Sequence, residues 1–406
     1  MPKRIPRLYI AFEAFFSLFL WLPIFYQFQK TIGLNDRQIF SIQSFYYLAF
    51  CFLEIPTGWV ADHWGYRRSI LWGTLIMVFS NLIPAVSQNF LGMLAHFILI
   101  ATSRSLISGA ASAYLFEACQ RYGVPERYKI IEGEARAWGL VGKVICWPLV
   151  GLLMSWHLSL PYLITSFFSA LSFLCVILLP NQNKAATVSS SEGNPSNRQF
   201  KACLVLLSRS PMLLLLMIQG ISIFVMGRLQ VTFYQPILLE RSMSVASLGG
   251  IMAVMTLFEA LGSWTPSWLR RFRISDLNSL FILSIAVTFS WFLIAAPGKY
   301  LSIVGFCLFC FFIGIVFPIQ KQVINEAIPD SRFRATILSI ESVFDRLGSA
   351  GLVSIAGSYA AHGQLNAVLT GFAWFTLVIL GLIYLQVCRT HFKIAPCQKD
   401  SQVIVA

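Results

Sequence analysis

The chain has 406 residues, 57% hydrophobic and 12% charged, with a mean hydropathy of +0.71 and a formal net charge of +13. A soluble chain carries about a quarter charged residues, so an ordinary globular domain is excluded. The basic excess is not read as a nucleic-acid footprint, because it falls in short loops between apolar blocks of about 20 residues, the length that crosses a bilayer core.

The blocks predict twelve membrane helices, at 8–29, 38–58, 70–87, 91–118, 133–155, 160–180, 211–238, 245–269, 277–296, 299–323, 335–360 and 365–388. Lys3, Arg4 and Arg7 precede the first block, as in a signal peptide. That block contains Glu13 and ends in aromatic and Gln residues without a small-residue cleavage site, so it is read as a retained membrane helix. Residues 181–210 are rich in Asn, Ser, Lys and Arg and read as a polar linker near the chain's midpoint.

Loop charge sets the expected orientation. One set of loops holds Lys3, Arg4, Arg7, Arg67, Arg68, Arg121, Arg127, Lys129, Lys184, Arg198, Lys201, Arg209, Arg270, Arg271, Arg273, Arg332, Arg334, Arg389, Lys393 and Lys399. The opposite set holds Lys30, Arg37, Arg241 and Lys299. The positive-inside rule then puts both termini and the linker in the cytoplasm of a multi-pass inner-membrane protein.

The two halves echo each other. The tripeptide FYQ at Phe25–Gln27 returns at Phe233–Gln235, and Gly142/Gly151 of the fifth span return as Gly348/Gly357 of the eleventh. Both repeats lie about half a chain apart. The expected fold is therefore all-α, with two six-helix pseudo-symmetric bundles at 1–180 and 211–390, the linker between them, and a cytoplasmic tail at 391–406.

The loop after the second span reads GWVADHWGYRRSI, Gly58 to Ile70. It resembles the signature loop of the major facilitator superfamily, with Gly58, Ala61, Asp62, Gly65, Arg67 and Ile70 in register, His63 in place of a basic residue and Tyr66 in place of the first arginine. The resemblance implies a transporter that alternates access, with Gly58, Asp62, Gly65, Arg67 and Arg68 as a cytoplasmic gating motif. EIPTG (Glu54 to Gly58) and SGAASAYLFE (Ser108 to Glu117) look like stretches of prokaryotic drug and metabolite exporters. WPLVG (Trp147 to Gly151) partly resembles the antiporter motif G-P-x-x-G, with Trp147 where that motif has glycine. A proline-kinked helix with small-residue packing is the alternative reading of that segment.

Ionisable residues inside spans are expensive and are functional candidates by default. Arg104, Lys143, Arg228 and Glu259 are placed as substrate-binding residues. Arg104 lies in the fourth span, where the superfamily often carries an arginine tied to proton coupling, although Gly109 follows it by five residues rather than four. Glu13, set among Phe12, Phe15 and Phe16, is the candidate proton carrier of the first helix. Glu341 and Asp345, one turn apart, are a second proton-coupling candidate, or one of them pairs with Arg346 or Lys143. Arg136, Glu134, Glu54, Glu117, Lys321 and Glu326 lie near cytoplasmic ends and are read as structural or gating charges.

The basic residues at mid-depth point to an anionic or zwitterionic small-molecule substrate, such as a carboxylate metabolite or siderophore, exported by a proton-coupled monomer in the lipid bilayer. Import of an organic anion by proton symport and multidrug/proton antiport stay open. Cys307 and Cys310 form a CxxC inside an apolar span and, like the other seven cysteines, read as small buried hydrophobes. The five histidines are scattered and there is no P-loop, so no cofactor, metal or enzymatic activity is expected.

Overall fold

The computed structural model describes residues 1–181, 205–207, 210–264, 276–328 and 334–394. The expected linker and tail lie almost wholly outside the described residues. Everything regular within them is helical: α1 (Arg4–Phe16), α2 (Phe25–Thr31), α3 (Asp36–Trp64), α4 (Tyr66–Val86), α5 (Phe90–Arg121), α6 (Arg127–Cys146), α7 (Val150–Trp156), α8 (Leu160–Leu178), α9 (Pro211–Glu240), α10 (Val245–Trp264), α11 (Asp276–Ala295), α12 (Lys299–Ala327), α13 (Arg334–Ala360) and α14 (Leu365–Ile394).

The first and fifth expected spans are each broken. Short 3₁₀ turns at Leu22–Ile24 and Trp147–Leu149 carry Pro23 and Pro148, which supply no N–H to a helical ladder. With α1–α2 and α6–α7 each taken as one broken pass, the helices are consistent with twelve spans. Among the described residues nine helices are long and apolar enough to cross a membrane. The three expected spans outside that set are α1–α2, α3 and α13, which carry Glu13, Glu54 and the Glu341/Asp345/Arg346 group.

Helix ends follow local chemistry. Asn35 and Gln38 form a reciprocal capping box that starts α3, and the Asn89 side chain accepts from Gly92 N–H to start α5. Gly65 stands between α3 and α4 at φ +91°, a left-handed conformation that suits glycine.

The chain divides into two compact units, one of residues 1–194, 232–256 and 346–364, the other of 195–231, 257–345 and 365–406. In the first unit α1 packs on α6 and α8, α4 on α5 and α8, and α3 on α5. Small hydroxyl residues bind backbone carbonyls across these seams: Ser103 to Gly73 at 2.6 Å, Ser69 to Leu106 at 2.7 Å, Ser166 to Val78 at 2.9 Å and Ser172 to Phe12 at 3.0 Å. Between apolar helices such contacts replace the missing hydrophobic drive.

The ends of α9, α10 and α13 also belong to this unit. Tyr234 donates to Pro23 O at 2.6 Å and Ser44 donates to Ala350 O at 2.8 Å. Backbone meets backbone at glycines: a Cβ on Gly249 would sit 1.9 Å from Trp147 O, and one on Gly151 would sit 2.3 Å from Ala246 Cα. The segment around Trp147–Gly151 thus packs through small residues.

In the second unit α11 packs on α12 and α14. In span order the ninth meets the tenth and twelfth, as the third meets the fourth and sixth in the first unit. Gly262 faces Phe311 O and Gly314 faces Glu259 O, so α10 and α12 cross at close range.

Candidate functional site

In the first unit, one face of α3 presents Tyr46, Phe50 and Glu54, spaced four residues apart and so stacked along the helix. Arg104 of α5 reaches this face. Its Nη1 donates to Tyr46 Oη at 2.7 Å, and its Cζ lies 5.8 Å from the Phe19 ring centre and 5.9 Å from that of Phe50. Arg104 is exposed, and no carboxylate pairs with it among the described residues. Arg346 of α13 lies over the same Phe50 ring at 4.0 Å and forms an ion pair with Glu54. Thr57, three residues past Glu54, shares a hydrogen bond of 2.7 Å with Ser105 of α5, which fixes the α3–α5 seam beside Arg104.

A second polar group in this unit surrounds Glu132 of α6. Tyr9 of α1 donates to one of its carboxylate oxygens at 2.9 Å, and Ser112 of α5 to the other at 3.1 Å. Glu13 lies one turn beyond Tyr9 and feels the charge of Glu132; its carboxylate makes no hydrogen bond or ion pair among the described residues. Lys143 lies over the Trp147 ring at 5.8 Å.

In the second unit the acids of α13 each meet a base. Arg228 of α9 grips Asp345 with its guanidinium fork, Nε lying 3.0 and 2.9 Å from the two carboxylate oxygens, and Nη2 also contacting Oδ2. Lys321 of α12 binds Glu341 Oε2 at 3.1 Å and lies 5.5 Å from the Phe224 ring centre. Gly220, Phe224 and Arg228 repeat at four-residue spacing along α9. A Cβ on Gly220 would lie 2.9 Å from Glu341 Oε1, so glycine there admits the buried carboxylate. Glu259 is an exposed residue of α10 next to the Gly314 crossing.

The structure therefore joins Arg228 to Asp345, and gives Glu341 the cation Lys321. The gating motif divides. Gly58 has open space around its Cα, and Gly65 makes the α3–α4 turn. Arg67 Nη2 donates to Ile177 O at 2.7 Å at the end of α8, whereas Arg68 is exposed. The Asp62 side chain lies outside the described residues. Sequence reasoning did not single out Glu132, Tyr46 or Phe50. The four-residue stripe Tyr46–Phe50–Glu54 is the signal that points to the last two.

Residues 8–352 match the sequence profile of the Major Facilitator Superfamily, and the chain belongs to that family. No curated protein matches the chain. Among solved structures, a point mutant of the nucleoside transporter NupG superposes with a TM-score of 0.76 at 16% identity, covering 94% of this chain and 99% of that one. An auto-inhibited POT family peptide transporter gives 0.73 at 16% identity, covering 96% and 97%. A bacterial homologue of the human lysosomal transporter Spinster, inward-facing and unoccupied, gives 0.72 at 14% identity, covering 95% and 97%. At these identities the likeness is one of fold: an all-helical membrane protein of transporter architecture.

Proposed function

We propose that this protein is a proton-coupled secondary transporter of a small amphipathic organic anion. It works by alternating access as a monomer in the cytoplasmic membrane, with both termini on the cytoplasmic side. The observation that carries the substrate class is Arg104. A cation in a span needs an anion or a strong polarised partner. The other arginines and the lysine of the two sites, Arg228, Arg346 and Lys321, face carboxylates, while Arg104 is accessible and bordered by a phenol and two aromatic rings. An anionic head on Arg104 with an apolar body against Phe19 and Phe50 fits that surface.

Glu13 is the proposed proton carrier, since the acids of α13 are committed to cations and Glu13 is not. Packing of the ends of α9, α10 and α13 within the first unit supports a cycle in which those contacts form and break. The likeness of EIPTG and SGAASAYLFE to exporter stretches favours efflux, and the same cycle runs inward under the opposite gradient.

The test is a thermal-shift screen of purified protein against organic acids, siderophores and cationic drugs, followed by transport in proteoliposomes. A ligand of the folded state raises its stability. Acids should stabilise the protein, Arg104→Gln should abolish the shift, and dissipating the pH gradient at clamped voltage should stop uphill transport. Stabilisation by cations alone would refute the substrate class.

A further inference from the structure

Resting on the anion reading above, we propose that Arg104 and Arg346 form a two-point clamp for a dianionic substrate. Glu54 then occupies Arg346 as an internal stand-in for the substrate's second acidic group. The two guanidinium groups lie 5.9 and 4.0 Å from the same Phe50 ring centre, so their carbons are at most about 10 Å apart, a separation within the span of a small dicarboxylate with a guanidinium at each end. Their surroundings differ. Arg104 binds a neutral hydroxyl, Tyr46, and is open. Arg346 is 11% exposed and pairs with a carboxylate that is 31% exposed.

This asymmetry is what a replaceable partner requires. Arg346 is held in place by Phe50 and cannot stay buried without an anion, because an unpaired buried charge is strongly penalised. Glu54 has an open side through which it can leave. A carboxylate or phosphate group offers a guanidinium the same planar, charge-assisted bonds that Glu54 makes. The groups around Glu54 are Arg346 in direct contact, with Arg104, Tyr46 and Cys51 around that arginine or its ring.

Charge balance sets the valence of the ligand. The empty cluster of Arg104, Arg346 and Glu54 carries one net positive charge. A dianion bound to both arginines neutralises them, and Glu54 leaves the pair as the neutral acid. Binding then takes up one proton from solution at Glu54, in addition to the proton assigned to Glu13. A monoanion satisfies Arg104 alone and leaves the Glu54–Arg346 pair intact.

Isothermal titration of the purified full-length protein tests this, with benzoate, benzene-1,4-dicarboxylate, succinate and glutarate as probes, in two buffers of different ionisation enthalpy. Glu54→Gln should bind at least one dicarboxylate roughly tenfold tighter than the native protein, because the internal competitor is gone. Proton uptake on dicarboxylate binding should also fall by one proton in that variant. Arg346→Lys, which keeps the charge but loses the fork, should weaken dicarboxylates and leave benzoate unchanged. Glu54→Asp, a milder change, should give an intermediate gain and covers failure of the glutamine variant to fold.

If no dicarboxylate gains affinity in either Glu54 variant while benzoate still binds through Arg104, the clamp is wrong and the anion reading survives. If no acid binds and only cations do, the anion reading falls as well.

Discussion

The side chain of Gln235 caps the backbone of Tyr26, 209 positions away: its Oε1 accepts from Tyr26 N–H at 2.9 Å. The same oxygen accepts from Gln27 N–H at 3.4 Å, and Nε2 donates to Leu22 O at 3.0 Å. These are the orphan groups created where the first span breaks, since the opening N–H groups of α2 have no partner in their own helix. The two ends of this contact are the two FYQ copies, so the second copy supplies the cap that the broken first copy lacks.

Gln235→Leu removes that cap from a wholly buried position. Leaving buried backbone donors unpaired costs about 1–3 kcal/mol. The melting temperature of the purified protein should fall accordingly. Gln235→Glu, kept neutral by burial, retains the acceptor oxygen and can offer its O–H to Leu22 O, so its loss should be smaller. Equal losses in the two variants would mean that the acceptor role does not matter.

Adjacent glycines on α10 give a paired test of close packing. A Cβ on Gly249 would meet Trp147 O at 1.9 Å, whereas one on Gly250 meets nothing within 4 Å. Gly249→Ala must push backbone from backbone and should destabilise by about 1–3 kcal/mol, the usual cost of overpacking. Gly250→Ala should be neutral or stabilising by up to about 1 kcal/mol, because alanine is the better helix former. Thermal unfolding of the two variants side by side reads the difference.

The basic pair of the α3–α4 turn separates in the same way. Arg67 ties the turn to Ile177 O at the carboxyl end of α8, where a cation also meets the helix dipole. Arg67→Ala should lower stability by about 0.5–1.5 kcal/mol, the net value of one such bond. Arg68 is exposed, and Arg68→Ala should leave the melting temperature unchanged. A drop for Arg68 equal to that for Arg67 would show that charge in the loop matters rather than the bond.

Much of the fold is local and therefore legible in the sequence. Apolar blocks of bilayer length give the helices and the proline of WPLVG marks the kink in the fifth span, whereas the break at Pro23 and the Asn35–Gln38 cap emerge only in the structure. Ion partners are not local. Asp345 lies 117 positions from Arg228, and Glu54 lies 292 from Arg346, so spacing along one helix says nothing about them. The sequence pattern sets Glu341 and Asp345 one turn apart as a proton-coupling candidate, while the partners that distinguish them, Lys321 and Arg228, stand on α12 and α9. Glu132 falls one residue before the expected fifth span, and its holders Tyr9 and Ser112 lie on two other helices.

The Arg228–Asp345 pair gives the sharpest test of whether charge or geometry holds the second unit's site. Asp345 is 5% exposed and Arg228 is 33% exposed at the side chain. Breaking a fully buried pair costs about 3–5 kcal/mol. Solvent reaches Arg228, so Asp345→Asn should cost less, about 1–3 kcal/mol. Arg228→Lys keeps the charge but presents no planar fork to the two carboxylate oxygens. If geometry matters, the lysine variant should lose more than half of what Arg228→Gln loses. A double-mutant cycle with Asp345→Asn then isolates the pair, and a coupling energy near zero would show that each residue is held by its other neighbours.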